Sequence, residues 1–313
     1  MMEKIEKKKQ RKNKYIPNLA EFYFKPDYDW SVEEAKDLYK KTNNEKYNRI
    51  IYKDCIDGMR ELQPESIDLI IADPPFGLEF TGKESLYNRN SEYVVEGYKE
   101  IEITDYRNFT SKWIQEIPRI LKSHGSAYIF SGWTNLLPLL QSIEDSGLIL
   151  RNHLIWQYNF AVFTKRKFAT SHYHILYVVK DEKNVFFNRI KHYETDIWTI
   201  PRKYKPNQVK NGTKLPNDLV RKCINYSSKP GDLILDPFSG NGTTQVAAKS
   251  EFRHYIGFEL NIHLKKTIET NLSSIKVGEN YVPYNDRIPS IEKLAEQYPK
   301  AYKIYINERK ERL

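Results

Sequence analysis

Two apolar runs in this chain end in Asp-Pro: IDLIIADPPFG at 67–77 and DLILDPFSGNG at 232–242. Each is unbroken rather than alternating, which reads as a strand buried on both faces. Strands of that kind belong to parallel sheets covered by helices. The flanking sequence agrees: RIIYKD, CIDGMREL and SIDLIIA predict strand, helix and strand. DYRNFTSKWIQEIPRILK places Tyr106, Phe109, Trp113, Ile117 and Ile120 at helical spacing, kinked at Pro118 and closed by SHG before the strand SAYIFSGW. TNLLPLLQSIEDSG predicts another helix, LILRNHLIWQY and HILYVV two more strands, and GDLILD, TTQVAAKS and YIGFEL a final strand, helix, strand unit. The expectation is an α/β fold, mostly parallel, with helices on both faces.

In such a sheet ligands gather at the carboxyl ends of strands, so the two acids are placed where a cofactor and a substrate could meet. An Asp-Pro pair alone can be a mere turn. The loops that follow carry the information. Gly240 and Gly242 let backbone approach a ligand, Thr243 and Thr244 open the next helix, and Glu259 ends the next strand, 23 positions after Asp236. That is a nucleotide site in outline, with the acid accepting hydrogen bonds from ribose hydroxyls. Gln245 occupies the place of the third glycine in GxGxxG, which favours a mononucleoside cofactor over NAD. GLEFTGKE at 77–84 imitates a phosphate-binding loop, but Glu84 replaces the magnesium-binding Ser or Thr and no helix pattern follows.

The first loop suits chemistry on the exocyclic amine of adenine. That amine is a poor nucleophile because its lone pair is delocalised into the ring. Asp73 can accept a hydrogen bond from it, the carbonyl of Pro74 can accept a second, and the proline pair fixes φ near −65° at 74 and 75. Phe76 offers a ring on which an extruded base could stack. The acid also stabilises positive charge developing on nitrogen, without metal or covalent intermediate.

Composition narrows the setting. The chain has 313 residues, 40% of them hydrophobic, enough for one substantial core. A net charge of +9 favours a polyanionic partner. Cys55 and Cys223 are too few and too far apart for a disulfide framework or a thiolate zinc site, which fits a reducing cytoplasm. No window approaches the roughly 20 apolar residues of a membrane span, and the basic N-terminus leads into no apolar leader. Residues 1–46 read as a basic arm, 47–275 as the catalytic domain, 181–212 as a short basic insert within it, and 276–313 as a charged helical segment broken near Pro299. The clusters Lys165, Arg166, Lys167 and Arg202, Lys203, Lys205 read as phosphate contacts. The 77–100 loop reads as a cover over the base pocket.

From Arg49 to Leu272 the chain resembles the β-class S-adenosylmethionine-dependent DNA amino-methyltransferases, which include many restriction-modification enzymes. ADPPFG is similar to that family's catalytic tetrapeptide, here Asp73, Pro74, Pro75 and Phe76, and LDPFSGNGTT to its cofactor loop, here Asp236, Phe238, Ser239, Gly240, Gly242, Thr243 and Thr244. The catalytic motif precedes the cofactor motif, the permuted order of the β class. KLPNDLVRKCI resembles the segment beside the methionine end of the cofactor, which implies a role for Lys214. KDCIDGMREL resembles GDCxxxL, which places Asp54 and Cys55 near the adenine, although Lys53 replaces the glycine. Glu259 matches the ribose-binding acid. In KFATSHYHILYVVK, Tyr173 stands where the family's histidine-glutamate pair has Glu, so His172 and His174 are assigned no catalytic role.

The resemblance implies a Rossmann-like methyltransferase fold, S-adenosylmethionine as cofactor and base flipping in DNA. An acid opening the tetrapeptide implies N6-adenine, with N4-cytosine the alternative and RNA or protein amino-methylation the remoter ones. Target recognition falls to 181–212. A cognate restriction endonuclease as genetic partner, and a homodimer, stay open.

Overall fold

The structure is a computed structural model. It describes residues 26–77, 101–159, 161, 165–166, 168–191, 194–201, 214–287 and 291–310. The chain runs α1 (Val32–Lys41), β1 (Arg49–Ile51), α2 (Cys55–Arg60), β2 (Ile67–Ala72), α3 (Tyr106–Ile114), α4 (Ile117–Ile120), β3 (Leu121–Ser131), α5 (Leu136–Asp145), β4 (Ile149–Gln157), β5 (His172–Val179) and β6 (Ile197–Thr199). It continues with α6 (Asn217–Ser227), β7 (Leu233–Asp236), α7 (Thr243–Ser250), β8 (His254–Phe258), α8 (Lys265–Ser273), α9 (Tyr284–Arg287), α10 (Ile291–Gln297) and α11 (Pro299–Lys310).

The strands form one sheet in the order β1-β8-β7-β2-β3-β5-β4-β6. Only β5 runs against its neighbours; every other pairing is parallel. All six residues of β2 are buried, as its unbroken apolar run requires. Its side chains alternate between two cores. Leu69 and Ile71 pack with Leu219, Val220 and Ile224 of α6 and with Ala247 and Ala248 of α7. Ile70 and Ala72 pack with Trp113 and Ile114 of α3 and with Leu139 and Ile143 of α5. The fold is the Rossmann-like α/β architecture expected, with helices on both faces.

Two details differ from expectation. Pro118 does not kink one long helix; the helix ends after Ile114 and Pro118 sits in the first turn of α4, where its missing amide hydrogen leaves no bond unmade. SHG does not close a helix. It lies inside β3, which starts at Leu121 and shifts register against β2 between Ile67 and Leu69. Residues 26–46 hold α1, which opens with a Ser31–Glu34 capping box and docks through Tyr39, its ring stacked on His254 with centroids 4.1 Å apart. Within 181–212, β6 pairs with β4 at the sheet edge and Trp198 is buried. Among the described residues no helix is long and apolar enough to cross a membrane, and α10 and α11 are separated just before Pro299.

Candidate active site

β2 and β7 lie side by side, yet the chain leaves them in opposite directions: β2 is followed across the sheet by β3, β7 by β8. The crevice beyond such a switch point is where α/β sheets bind ligands. A cavity of about 800 Å³ opens there, lined by both Asp-Pro strand ends, by Lys53 to Cys55, by Lys214 and by Phe258 to Leu264. The sequence motifs, scattered over two hundred residues, therefore meet in one space.

On the β7 side, Asp236 is buried and turned into its own loop. Its Oδ1 accepts from the Phe238 amide at 3.0 Å and its Oδ2 from Gln245 Nε2 at 3.3 Å. Gln245 Nε2 also donates to Ser239 Oγ at 2.9 Å, so the residue in the third-glycine position ties the loop together. Gly242 precedes α7 with φ 78°, a left-handed conformation that glycine adopts without strain, and its amide donates to the Ser239 carbonyl at 2.7 Å. Above Gly240 the nearest atom to a notional Cβ is 3.9 Å away, so the loop backbone is open to a ligand. Burial pushes the Asp236 carboxyl up to about 7 despite its hydrogen bonds, and the Glu259 charge adds to that shift.

Glu259 is held by two backbone amides, Gly240 on Oε2 and Asn261 on Oε1, both at 2.7 Å. The Leu260 backbone also favours the carboxylate, and the acceptor capacity left on it faces the cavity. Burial raises its pKa while those amides lower it. Beside it Leu260 and Ile262, 67% and 53% exposed, give the cavity apolar walls. An acid that can accept from a ribose hydroxyl, apolar side chains beside it and an open glycine loop fit a nucleoside cofactor. At the far wall Asp54 caps α2, its Oδ1 accepting from the Ile56 amide at 2.8 Å. Cys55 is buried, and desolvation drives its thiol away from the thiolate form. Lys214 stands exposed at the cavity edge. Thr243 and Thr244 line the cavity at the start of α7, and Phe238 packs edge-on against Trp113, centroids 5.3 Å apart.

On the β2 side, Asp73 and Pro75 are half-buried, while Pro74 and Phe76 are buried, and all four line the cavity. Phe76 packs edge-on against Tyr173, centroids 5.3 Å apart. Tyr173, set aside in the sequence as a departure from a family motif, lines the cavity too. His172 and His174 do not. His174 Nδ1 meets His153 Nε2 at 2.7 Å, and burial with its two neighbouring histidines lowers its pKa to about 4. Asn261, Leu264 and Phe109 are further lining residues that no motif announced. Lys165 and Arg166 are exposed; Lys167, Arg202, Lys203, Lys205 and the 78–100 loop lie outside the described residues. Among the described residues no group of three or more acids, histidines or cysteines could hold a metal.

The chain is similar to known proteins in sequence and in fold. The type II methyltransferase M.HinfI of Haemophilus influenzae is 31% identical over 262 residues, 78% of this chain and 73% of that protein. The DNA adenine methyltransferase YhdJ of Escherichia coli K12 is 28% identical over 74% of this chain and 84% of its own. Among solved structures, M1.HpyAVI with S-adenosylmethionine superposes with a TM-score of 0.52 at 22% identity, over 72% of this chain and 98% of that one. The cytosine-N4-specific PvuII DNA methyltransferase does so at 0.53 and 15%, over 74% and 95%. Residues 67–270, spanning both Asp-Pro strand ends and Glu259, match the N6/N4 methyltransferase family described as DNA methylase. The chain belongs to that family of DNA methyltransferases.

Proposed function

We propose that the protein methylates the exocyclic N6 of adenine in DNA, using S-adenosylmethionine. The observation that carries this reading is the single cavity at the β2–β7 switch point, which has Asp73 on one wall and the glycine loop with Glu259 on the other. The cofactor, when bound, supplies a methyl group on a sulfonium, ready for direct displacement. Glu259, Leu260, Ile262 and Gly240 would hold its nucleoside, Gly242 shapes the loop from behind against Ile268 without lining the cavity, and Lys214 with Asp54 and Cys55 would bound the remaining edges.

The chain's own contribution is orientation. Asp73 and the Pro74 carbonyl accept the two amine hydrogens of an extruded adenine, which localises the lone pair on nitrogen and aims it along the displacement path. As the N–C bond forms, Asp73 faces the growing positive charge on nitrogen, and the surplus amine proton leaves by way of its carboxylate. Phe76, fixed edge-on by Tyr173, provides the ring beside the base. Extrusion costs a few kcal/mol, offset by stacking and phosphate contacts. Lys165, Arg166, Lys167, Arg202, Lys203 and Lys205 are proposed for the phosphates; replacing Lys165 and Arg166 by alanine should flatten the logarithmic salt dependence of DNA binding by about 2.

Adenine is favoured over cytosine by the acid at 73 and by the adenine methyltransferase among the relatives; the fold is shared with an N4-cytosine enzyme and so does not discriminate. The type II relatives support a restriction partner of matching specificity. The test is transfer of labelled methyl from S-adenosylmethionine to mixed-sequence duplex DNA, followed by nucleoside analysis. Label in N6-methyladenine is the expected result. Label confined to N4-methylcytosine would overturn the base assignment, and label in RNA but not DNA would overturn the substrate.

A further inference from the structure

We propose that Asn135 is a positioning residue for the catalytic tetrapeptide, clamping the chain where it leaves Asp73-Pro74-Pro75-Phe76. The inference rests on the catalytic reading of that tetrapeptide. Asn135 occupies the residue just before α5, where an asparagine ordinarily accepts a hydrogen bond from an amide of its own first turn. It makes no such bond. Its Nδ2 donates instead to the carbonyl of Phe76 at 2.6 Å and of Gly77 at 3.0 Å. Both partners are acceptors, so the amino side of the amide must face them. The helix forgoes its side-chain cap, and the loop beyond β3 holds the loop beyond β2.

The clamped turn has few alternatives. Gly77 has φ 64°, and a Cβ there would overlap the Tyr106 ring, so only glycine fits. The prolines fix φ at 74 and 75, and the bond to the Phe76 carbonyl fixes its peptide plane. Asn135 therefore removes rotation left at the end of the motif that the prolines do not reach. Phe76 and Gly77 are buried, so the two bonds from Asn135 form out of reach of bulk solvent. A displacement of about 1 Å in such a constellation can cost roughly 100-fold in rate.

Capping and clamping can be separated, because serine and aspartate cap helices as well as asparagine does but neither can donate two bonds across the gap. Asn135→Ser should lower kcat for methyl transfer about 10- to 100-fold, with KM for S-adenosylmethionine and its calorimetric affinity within about twofold of wild type. Asn135→Asp, which can cap the helix but faces two carbonyls with a carboxylate, should be at least as slow. Turnover retained by Asn135→Ser would overturn the proposal, and so would a loss of cofactor affinity matching the loss of kcat, since that would mark general disruption. Asp73→Ala measured alongside keeps the two readings apart: an active Asp73→Ala refutes the catalytic assignment, whereas an inactive Asp73→Ala beside a fully active Asn135→Ser refutes the clamp alone.

Discussion

The ends of β2 and β7 are neighbours in one sheet, paired at Leu69–Ile234 and Ile70–Leu235, and both close on Asp-Pro. Their acids have different fates. Asp236 is 4% exposed and accepts the amide two residues on, at Phe238, a local turn that draws the carboxylate into the loop. Asp73 is half-buried on the cavity wall. The residue two positions after it is Pro75, which has no amide hydrogen, so the bond that captures Asp236 cannot form at 73. The second proline thus denies Asp73 the local turn that Asp236 makes, which agrees with the proposed role of Asp73 toward a substrate.

The contrast is sharpest under substitution. Asp73→Ala should lower kcat at least about 1,000-fold while leaving cofactor affinity nearly unchanged, because the acid acts on the target amine. Calorimetry with S-adenosylmethionine beside a labelled-methyl assay separates the two quantities. An Asp73→Ala variant that loses cofactor binding in step with turnover would make both acids loop builders and break the comparison.

Asp236 offers a pH test. Its ordinary value is 3.8 and burial pushes it up to about 7, so between those values the folded state keeps a proton that the unfolded chain releases. Stability therefore falls as pH rises through that window and levels off above it. Asp236→Asn cannot titrate. It still accepts from Phe238, and Gln245 can turn its amide so that Oε1, which now has no hydrogen-bond partner, accepts from the new NH2. Asp232, also raised to about 7, is common to both proteins and cancels in the difference. Denaturant unfolding at pH 5 and pH 8 should show the variant gaining on wild type by on the order of 2 kcal/mol across the window. A flat difference would show that Asp236 is ionised throughout.

Most of this arrangement is legible in the sequence, for a physical reason. Unbroken apolar runs such as IDLIIA predict strands buried on both faces, and glycines and acids at their ends carry local chemistry that does not depend on distant contacts. What the sequence hides is long-range. The reversed direction of β5 leaves no mark on hydrophobic pattern, and the register shift between β2 and β3 admits SHG into a strand that its glycine argues against. Asn135 falls at the start of a predicted helix with nothing to single it out, because its partners lie 58 and 59 residues away. Tyr173 reads as a broken motif until it is seen against Phe76.

Pro75→Ala tests the proline argument with the smallest expected change. Alanine supplies an amide hydrogen two residues after Asp73, in the place where Phe238 captures Asp236, and frees one φ angle. The carboxylate then has a local partner competing with the substrate amine, and kcat should fall about tenfold, far less than when the acid itself is removed. Pro74→Ala is the control, because its amide lies one residue after the acid and cannot close the same turn, although it frees a torsion too. If both alanine variants slow the reaction equally, rigidity alone explains the proline pair. If only Pro75→Ala does, the missing hydrogen at 75 is what keeps Asp73 available, and the two strand ends differ in function through one absent amide.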